Sequence, residues 1–251
     1  MQSGLIEVMV LLAARFGALV VLAPPWSSSQ IPAMVRVGFV TAMAISLSLC
    51  LPGAQIDKSL SLGELMACMF SELAIGLPLA LGVAFAFAAY SAGGQLLDIQ
   101  IGFGISQLFD PTTRQRLPVL ATALGQLAMV SFFAVNGDHA LLRAIALSLE
   151  RYPLGHPFQI DVPLDALLMS GASMFALGFS IVAPVVFCLL LTEVGIGILG
   201  RNLPQINIFA VGLPIKVIVG LIGLATWFGM AVSIAQRFQN AILAGWMGWL
   251  N

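Results

Sequence analysis

The sequence predicts an all-α integral membrane protein built from about six long hydrophobic helices, some kinked or split into hairpins. Three observations predict it. Hydrophobic residues make up 60% of the 251 positions and charged residues 8%, where an ordinary soluble domain carries about 25% charged residues. Mean hydropathy is +1.03, which leaves too little polar surface to cover a globule. Six apolar runs, roughly residues 5 to 23, 33 to 51, 65 to 92, 117 to 135, 167 to 199 and 208 to 232, each reach the ~18 to 20 residues that carry a helix across a hydrocarbon core. We read residues 1 to 251 as one membrane domain.

The first run does not have the layout of a cleaved leader, because Glu7 precedes it and Arg15 falls inside it. An uncleaved anchor is expected. The third and fifth runs are longer than a bilayer requires, at about 42 to 50 Å as helix, and each holds a proline, Pro78 and Pro184. They must tilt, kink or break. The third also carries small residues at every fourth position, Gly76, Ala80, Ala84, Ala88 and Ala92. Such a stripe lets another backbone come close; packing within the chain and a subunit interface are both open.

Between the third and fourth runs stands "DIQIGFGISQLFDPTTRQRLP", residues 98 to 118. Asp98, Asp110, Arg114 and Arg116 in bare hydrocarbon would together cost about 10 to 14 kcal/mol, so the stretch cannot face lipid. Irregular backbone at membrane depth survives only inside protein or along an aqueous cavity. Bulky Ile101, Phe103, Ile105, Leu108 and Phe109 are interleaved with Gly102 and Gly104, which let the backbone bend. Asp110 before Pro111 is an N-cap with proline at the first helical position, so a helix is expected to start there. Gly102, Phe103, Gly104, Ile105, Ser106, Gln107, Leu108, Phe109, Asp110 and Pro111 thus form a flexible oily loop between rigid helices. Such a loop can obstruct a pore by dewetting, or it can be a plain connector at the membrane surface.

"NGDHALLRAIALSLERYPLG" predicts a turn at Asn136 and Gly137, an N-cap at Asp138, a helix to about Glu150 and a stop before Pro153. After the fifth run, Pro204 and Pro214 bracket a stiff turn in which Gln205 and Asn207 can satisfy free backbone groups, flanked by Arg201 and Lys216. In the last stretch, residues 233 to 251, Ala235, Phe238, Ile242, Trp246 and Trp249 fall on one helical face and Gln236, Arg237 and Asn240 on the other. That pattern predicts an amphipathic helix lying on a membrane surface or against a partner.

The composition also excludes function classes. A net charge of -1 offers no basic stripe for nucleic acid. Cys50, Cys68 and Cys188 are scattered through apolar runs and read as core hydrophobes, and His139 and His156 alone cannot build a metal site. We find no hydrolase elbow, Walker loop, dinucleotide fingerprint or zinc signature, so neither catalysis nor a cofactor is expected. Glu72 and Glu193 lie within apolar runs and need a partner or water. If six spans alternate sides, loop Lys and Arg divide five to four, Arg36, Arg114, Arg116, Arg201 and Lys216 against Lys58, Arg143, Arg151 and Arg237, which gives almost no orientation.

Taken together, "LLAARFGALVVLAPPW", "IPAMVRVGF", "GGQLLDIQIGFGISQLFDP", "LPVL", "NGDHALLRA" and "RNLPQINIFAVGLPIK" resemble, in order and spacing, the flagellar biosynthetic protein FliR family, related to the T-type export-apparatus subunit of injectisomes. The likeness runs across nearly the full chain. It implies a non-enzymatic core subunit of a type III protein-export gate, multi-pass in the bacterial inner membrane at the flagellar basal body. The implied partners are P-type and Q-type subunits, a B-type switch protein (U-type in injectisomes) and unfolded export substrates. The assembly is implied to be helical and to lie largely above the membrane plane. The family's loop that helps plug the closed pore maps to about residues 106 to 120. The early "LAPPW...IP...VR" form and the "NG.H..L..A" pattern lean flagellar rather than injectisome, with Asp138 a minor departure where many relatives carry a histidine. Two rivals stand beside this reading. One is a small secondary transporter, suggested by the two proline-interrupted long runs; the other is an assembly scaffold outside the conduction path.

Overall fold

The structure, a computed structural model, describes residues 2–27, 31–50, 60–103, 118–155, 164–203, 205, 207–229 and 231–250. Among them the chain is helical and has no strand. The elements are α1 (Gln2–Leu22), α2 (Pro24–Ser27), α3 (Ala33–Cys50), α4 (Leu62–Ile101), α5 (Val119–Ala134), α6 (Gly137–Arg151), α7 (Leu164–Asn202), α8 (Ile208–Phe228) and α9 (Ala231–Leu250). Four of these, α1, α4, α7 and α8, are long and apolar enough to cross a membrane, and a fifth crossing results if the broken pair α5 and α6 counts as one. The second run forms only the shorter α3.

Neither long run breaks. α4 is 40 residues and α7 is 39, with Pro78 and Pro184 inside them. A proline removes one donor and crowds one carbonyl, a local fault that neighbouring helices and small backbone adjustments absorb within a packed bundle. The helical run breaks instead at Asn136, which takes the left-handed conformation at φ 57°, open to asparagine at modest strain. That residue, not Asp138, is the N-cap of α6. Asp138 sits in the first turn beside His139, where a carboxylate still favours the positive end of the helix dipole.

The described residues group into two compact units: residues 1–85, 136–171 and 241–251, and residues 86–135 and 172–240. In the first, Val8 and Leu12 of α1 pack on Ala44 of α3, with Leu149 and Leu154 against the same cluster. α6 buries Leu141, Ala144, Ile145 and Ser148, a 3.6-residue period that lays one face on the core. Trp246 of α9 packs on Gly82 and donates its indole N–H to the Leu79 carbonyl at 3.2 Å.

In the second unit α4 and α7 approach backbone to backbone. A Cβ added at Gly178 would stand 2.8 Å from the Cβ and carbonyl oxygen of Ala89. α8 closes on the same core through Gly223, which faces Val185. Phe238 of α9 lies with its ring centroid 4.5 Å from that of Tyr90.

These contacts correct one expectation. The apolar face of α9 is covered within the chain: Ala235, Phe238, Ile242 and Trp246 are buried, while Gln236, Arg237 and Asn240 are exposed. Amphipathic spacing identifies the face that leaves water, not the surface that receives it. Cys68 is buried as expected, but Cys188 is exposed on α7, so it is not a core residue.

Candidate functional site

The stretch from 98 to 118 is bounded by two well-defined helix ends in the second unit. α4 stops because Gly102 adopts φ 94°, a left-handed value that glycine takes without penalty, and its N–H donates to the Asp98 carbonyl at 3.2 Å. α5 begins at Val119 behind Pro118, whose extended backbone occupies the cap position. Proline has no side-chain acceptor, so the amide donors of the first turn of α5 need one from elsewhere. Asp98 supplies it. Its Oδ1 accepts from the Leu120 N–H at 2.9 Å and its Oδ2 from the Ala121 N–H at 3.0 Å.

The last turns of α4 are shaped for this contact. Gly94 lies one turn before Asp98 on the same side of α4, and Gly102 follows the last helical residue, Ile101. At Gly94 any Cβ would collide with the backbone of Ala121; the bare glycine lets the start of α5 settle within reach of the carboxylate. Asp98 is only 4% exposed. Its charge is met by two amide donors and by the positive end of the α5 dipole, which answers how a carboxylate is tolerated at this place in an apolar chain.

A second buried polar centre lies in the first unit. Arg15 of α1 is 0% exposed and Glu72 of α4 is 1% exposed, with Nε and Oε2 at 2.6 Å. The guanidinium also donates to Ser148 Oγ at 3.1 Å and to the Tyr152 carbonyl at 2.9 Å. Ser148 passes its own hydrogen on to the Ile145 carbonyl at 2.7 Å. Gly76, one turn after Glu72, permits the crossing: a Cβ there would stand 2.5 Å from the Arg15 carbonyl oxygen. One arginine thus joins α1, α4 and the end of α6.

The sequence-predicted residues are distributed as follows. Gly102 and Phe103 belong to the helix end just described; Gly104, Ile105, Ser106, Gln107, Leu108, Phe109, Asp110 and Pro111 lie outside the described residues, and with them the expected helix start at Asp110. Gly76 and Ala80 are buried inside the chain, Ala84 and Ala92 are half-buried and Ala88 is exposed. The reason is geometric: at 3.6 residues per turn a four-residue spacing drifts about 40° each step, so the stripe winds about 160° around α4. The backbone contacts of its C-terminal half run instead through Ala89, Gly93 and Gly94.

Arg201 is exposed in the last turn of α7, where a cation suits the negative end of the dipole. Gln205 is exposed, Pro204 lies outside the described residues, and Asn207 caps α8 by accepting from the Ala210 N–H at 3.2 Å. Pro214 does not bracket the turn: it lies inside α8. Lys216 lies beyond it in the same helix and reaches back to Glu193 of α7 at 2.9 Å.

Sequence reasoning missed two roles. Arg15 reads from the sequence only as an odd charge in the first run, although a lone arginine and a lone glutamate in separate apolar segments are natural partners. The capping role of Asp98 was hidden by Pro118, since the usual local signal of a cap was missing. Among the described residues no group of three or more His, Cys, Asp or Glu side chains could hold a metal.

Comparison with known proteins gives a consistent result. The family described as "Bacterial export proteins, family 1" matches residues 6–242. The chain is 31% identical over 217 residues to the flagellar biosynthetic protein FliR of Bacillus subtilis (strain 168), covering 85% of this chain and 83% of that protein. It is 28% identical over 229 residues to FliR of Escherichia coli (strain K12), covering 91% and 87%. To the surface presentation of antigens protein SpaR of Shigella flexneri it is 32% identical over 155 residues, covering 61% and 59%.

Proposed function

The chain belongs to the bacterial export proteins, family 1, and from that premise we propose that it is the FliR-type core subunit of a flagellar protein-export gate in the bacterial inner membrane. At the coarser level it is a membrane-embedded subunit of a flagellar or type III export apparatus and acts with other export components. The finer reading is that the 98 to 118 region helps plug the channel through which unfolded proteins leave, with P-type, Q-type and B-type subunits around it. It has no enzymatic step of its own.

The observation that carries the reading is the family match over residues 6–242, which includes the whole 98 to 118 stretch. Two structural facts support it. The helix ends on either side of that stretch are held together by Asp98, which fits an insert returning to a fixed base. α7 and α8 leave much apolar surface uncovered, including Phe179, Phe187, Leu191 and Ile222, as a subunit wrapped by lipid and neighbours requires.

The test is to trim residues 102 to 109 and measure both assembly and ion leak of the resting complex. The expected result is intact assembly with a leak. Unchanged conductance in an assembled complex would favour the scaffold reading, and solute uptake by the isolated chain would favour a transporter.

A further inference from the structure

α7 and α8 leave apolar surface uncovered, yet one place on it is charged. Glu193 of α7 and Lys216 of α8 pair at 2.9 Å while the glutamate side chain stays 55% exposed and the lysine 21%. We infer that the face of α7 around Glu193, with Leu190 one turn before it and Gly197 one turn after, is a contact surface for a helix of another subunit, one that is apolar and carries a hydrogen-bond donor level with Glu193. That partner is another component of the export complex, so the inference rests on the function proposed above.

Depth decides against lipid. The apolar part of α8, Ala210–Trp227, is 18 residues long, about 27 Å as helix against a hydrocarbon core of about 30 Å. A crossing by α8 therefore uses nearly the whole helix. Lys216 stands about 12 Å along it from Ile208, too far in to be left among the headgroups. Its ammonium meets one carboxylate oxygen of Glu193, Oε1, and hydrocarbon has no donor for the exposed remainder of that group.

Water fits no better. Leu190 is exposed on the same side of α7 as Glu193, and Val194 and Ile198 are exposed on its flank, so a water-filled wall here would wet a run of large aliphatic side chains. An exposed apolar patch of this kind marks a protein contact. Gly197 completes the shape. It is exposed, and a Cβ built there meets nothing of the chain within 4 Å, so beside Glu193 the backbone of α7 is bare. A second helix can come close there, near enough for a polar side chain to bond across the gap.

The experiment uses the full chain twice, alone in mild detergent and co-expressed with the other export components. Thermal midpoint is read in the first case and yield of the assembled complex in the second. Gly197→Leu adds bulk only outward, into space the chain leaves open, so the midpoint of the isolated chain stays at its wild-type value. Glu193→Leu with Lys216→Met removes both charges together and makes the face wholly apolar. Where that double variant melts early on its own, Glu193→Gln, which keeps the shape, carries the charge arm with a smaller fall expected.

The expected result is a several-fold fall in complex yield in both arms, without a matching loss of midpoint. A lipid-facing surface accepts bulk and welcomes the loss of charge, so a wild-type yield in either arm overturns the inference. The third measurement treats the assembled complex of Gly197→Cys with Cys188→Ala with a charged, membrane-impermeant thiol reagent. Position 197 is expected to be protected; labelling as fast as in the denatured chain places water at this face and also overturns the inference. If the wild-type chain retains no other export component at all, the reading of it as an export subunit is what falls, and this inference falls with it.

Discussion

Glu72 and Asp98 are two buried carboxylates on one helix, at 1% and 4% exposure, and the chain satisfies them differently. Glu72 meets an oppositely charged side chain, the Arg15 guanidinium, with the Gly155 amide as a further donor. Asp98 meets main chain, the Leu120 and Ala121 amides. The first arrangement is a matched pair of side chains, so both charges can in principle be removed together. The second has only one removable partner, because the amides stay whatever side chains follow them. A buried ion pair is weak evidence of stability on its own. A carboxylate on a helix start is a positional constraint.

The sharpest way to break this contrast lies at Glu72. Glu72→Ala leaves Arg15 buried and uncompensated, for an expected loss of about 3 to 5 kcal/mol, read as a large drop in thermal midpoint in mild detergent. Arg15→Met with Glu72→Leu should recover most of it. If single and double variants melt alike, the pair is not a self-contained unit.

At Asp98 the expected loss on Asp98→Ala is smaller, about 1 to 3 kcal/mol for amides left without their acceptor. Faster hydrogen exchange should appear at Leu120 and Ala121. No side-chain replacement at 120 or 121 should restore the wild-type rate; a rescue by such a change would erase the distinction drawn above.

A cap supplied from within its own segment calibrates the one supplied from α4. Asn207→Ala should destabilise α8 by about 1 kcal/mol, with loss of amide protection confined to the first turn near Ala210. Protection lost elsewhere in α8 would show that Asn207 does more than cap.

The smallest effect belongs to the exposed pair. Glu193 is 55% exposed and Lys216 21%, so Lys216→Gln should change stability by no more than about 1 kcal/mol. A larger shift would mean that something besides water covers that side of α7 in the state measured.

Much of the fold was legible because hydropathy and helical period are local properties. The segments that became α1, α4, α7 and α8 could be read from run length, the buried face of α9 from the spacing of Ala235, Phe238, Ile242 and Trp246, and the end of α4 near Gly102 from glycine chemistry. What could not be read was pairing between segments. Nothing near Glu72 in sequence points to Arg15, 57 positions away, and nothing near Pro118 points to Asp98. The misplaced cap at Asp138 has a different cause: Asn136 and Asp138 both suit a helix start, and the backbone angle at Asn136, a tertiary outcome, decides between them. The small-residue stripe failed as a geometric guide because a spacing of four does not stay on one side of a 3.6-residue helix.

The Asp98 joint has a consequence for how this chain can diverge. Every residue except proline carries the amide it uses, so positions 120 and 121 are free to change type without any answering change at 98. Across relatives Arg15 and Glu72 should therefore vary as a couple, whereas Asp98 should show no correlated partner at all, and methods that infer proximity from paired substitution would pass over the joint.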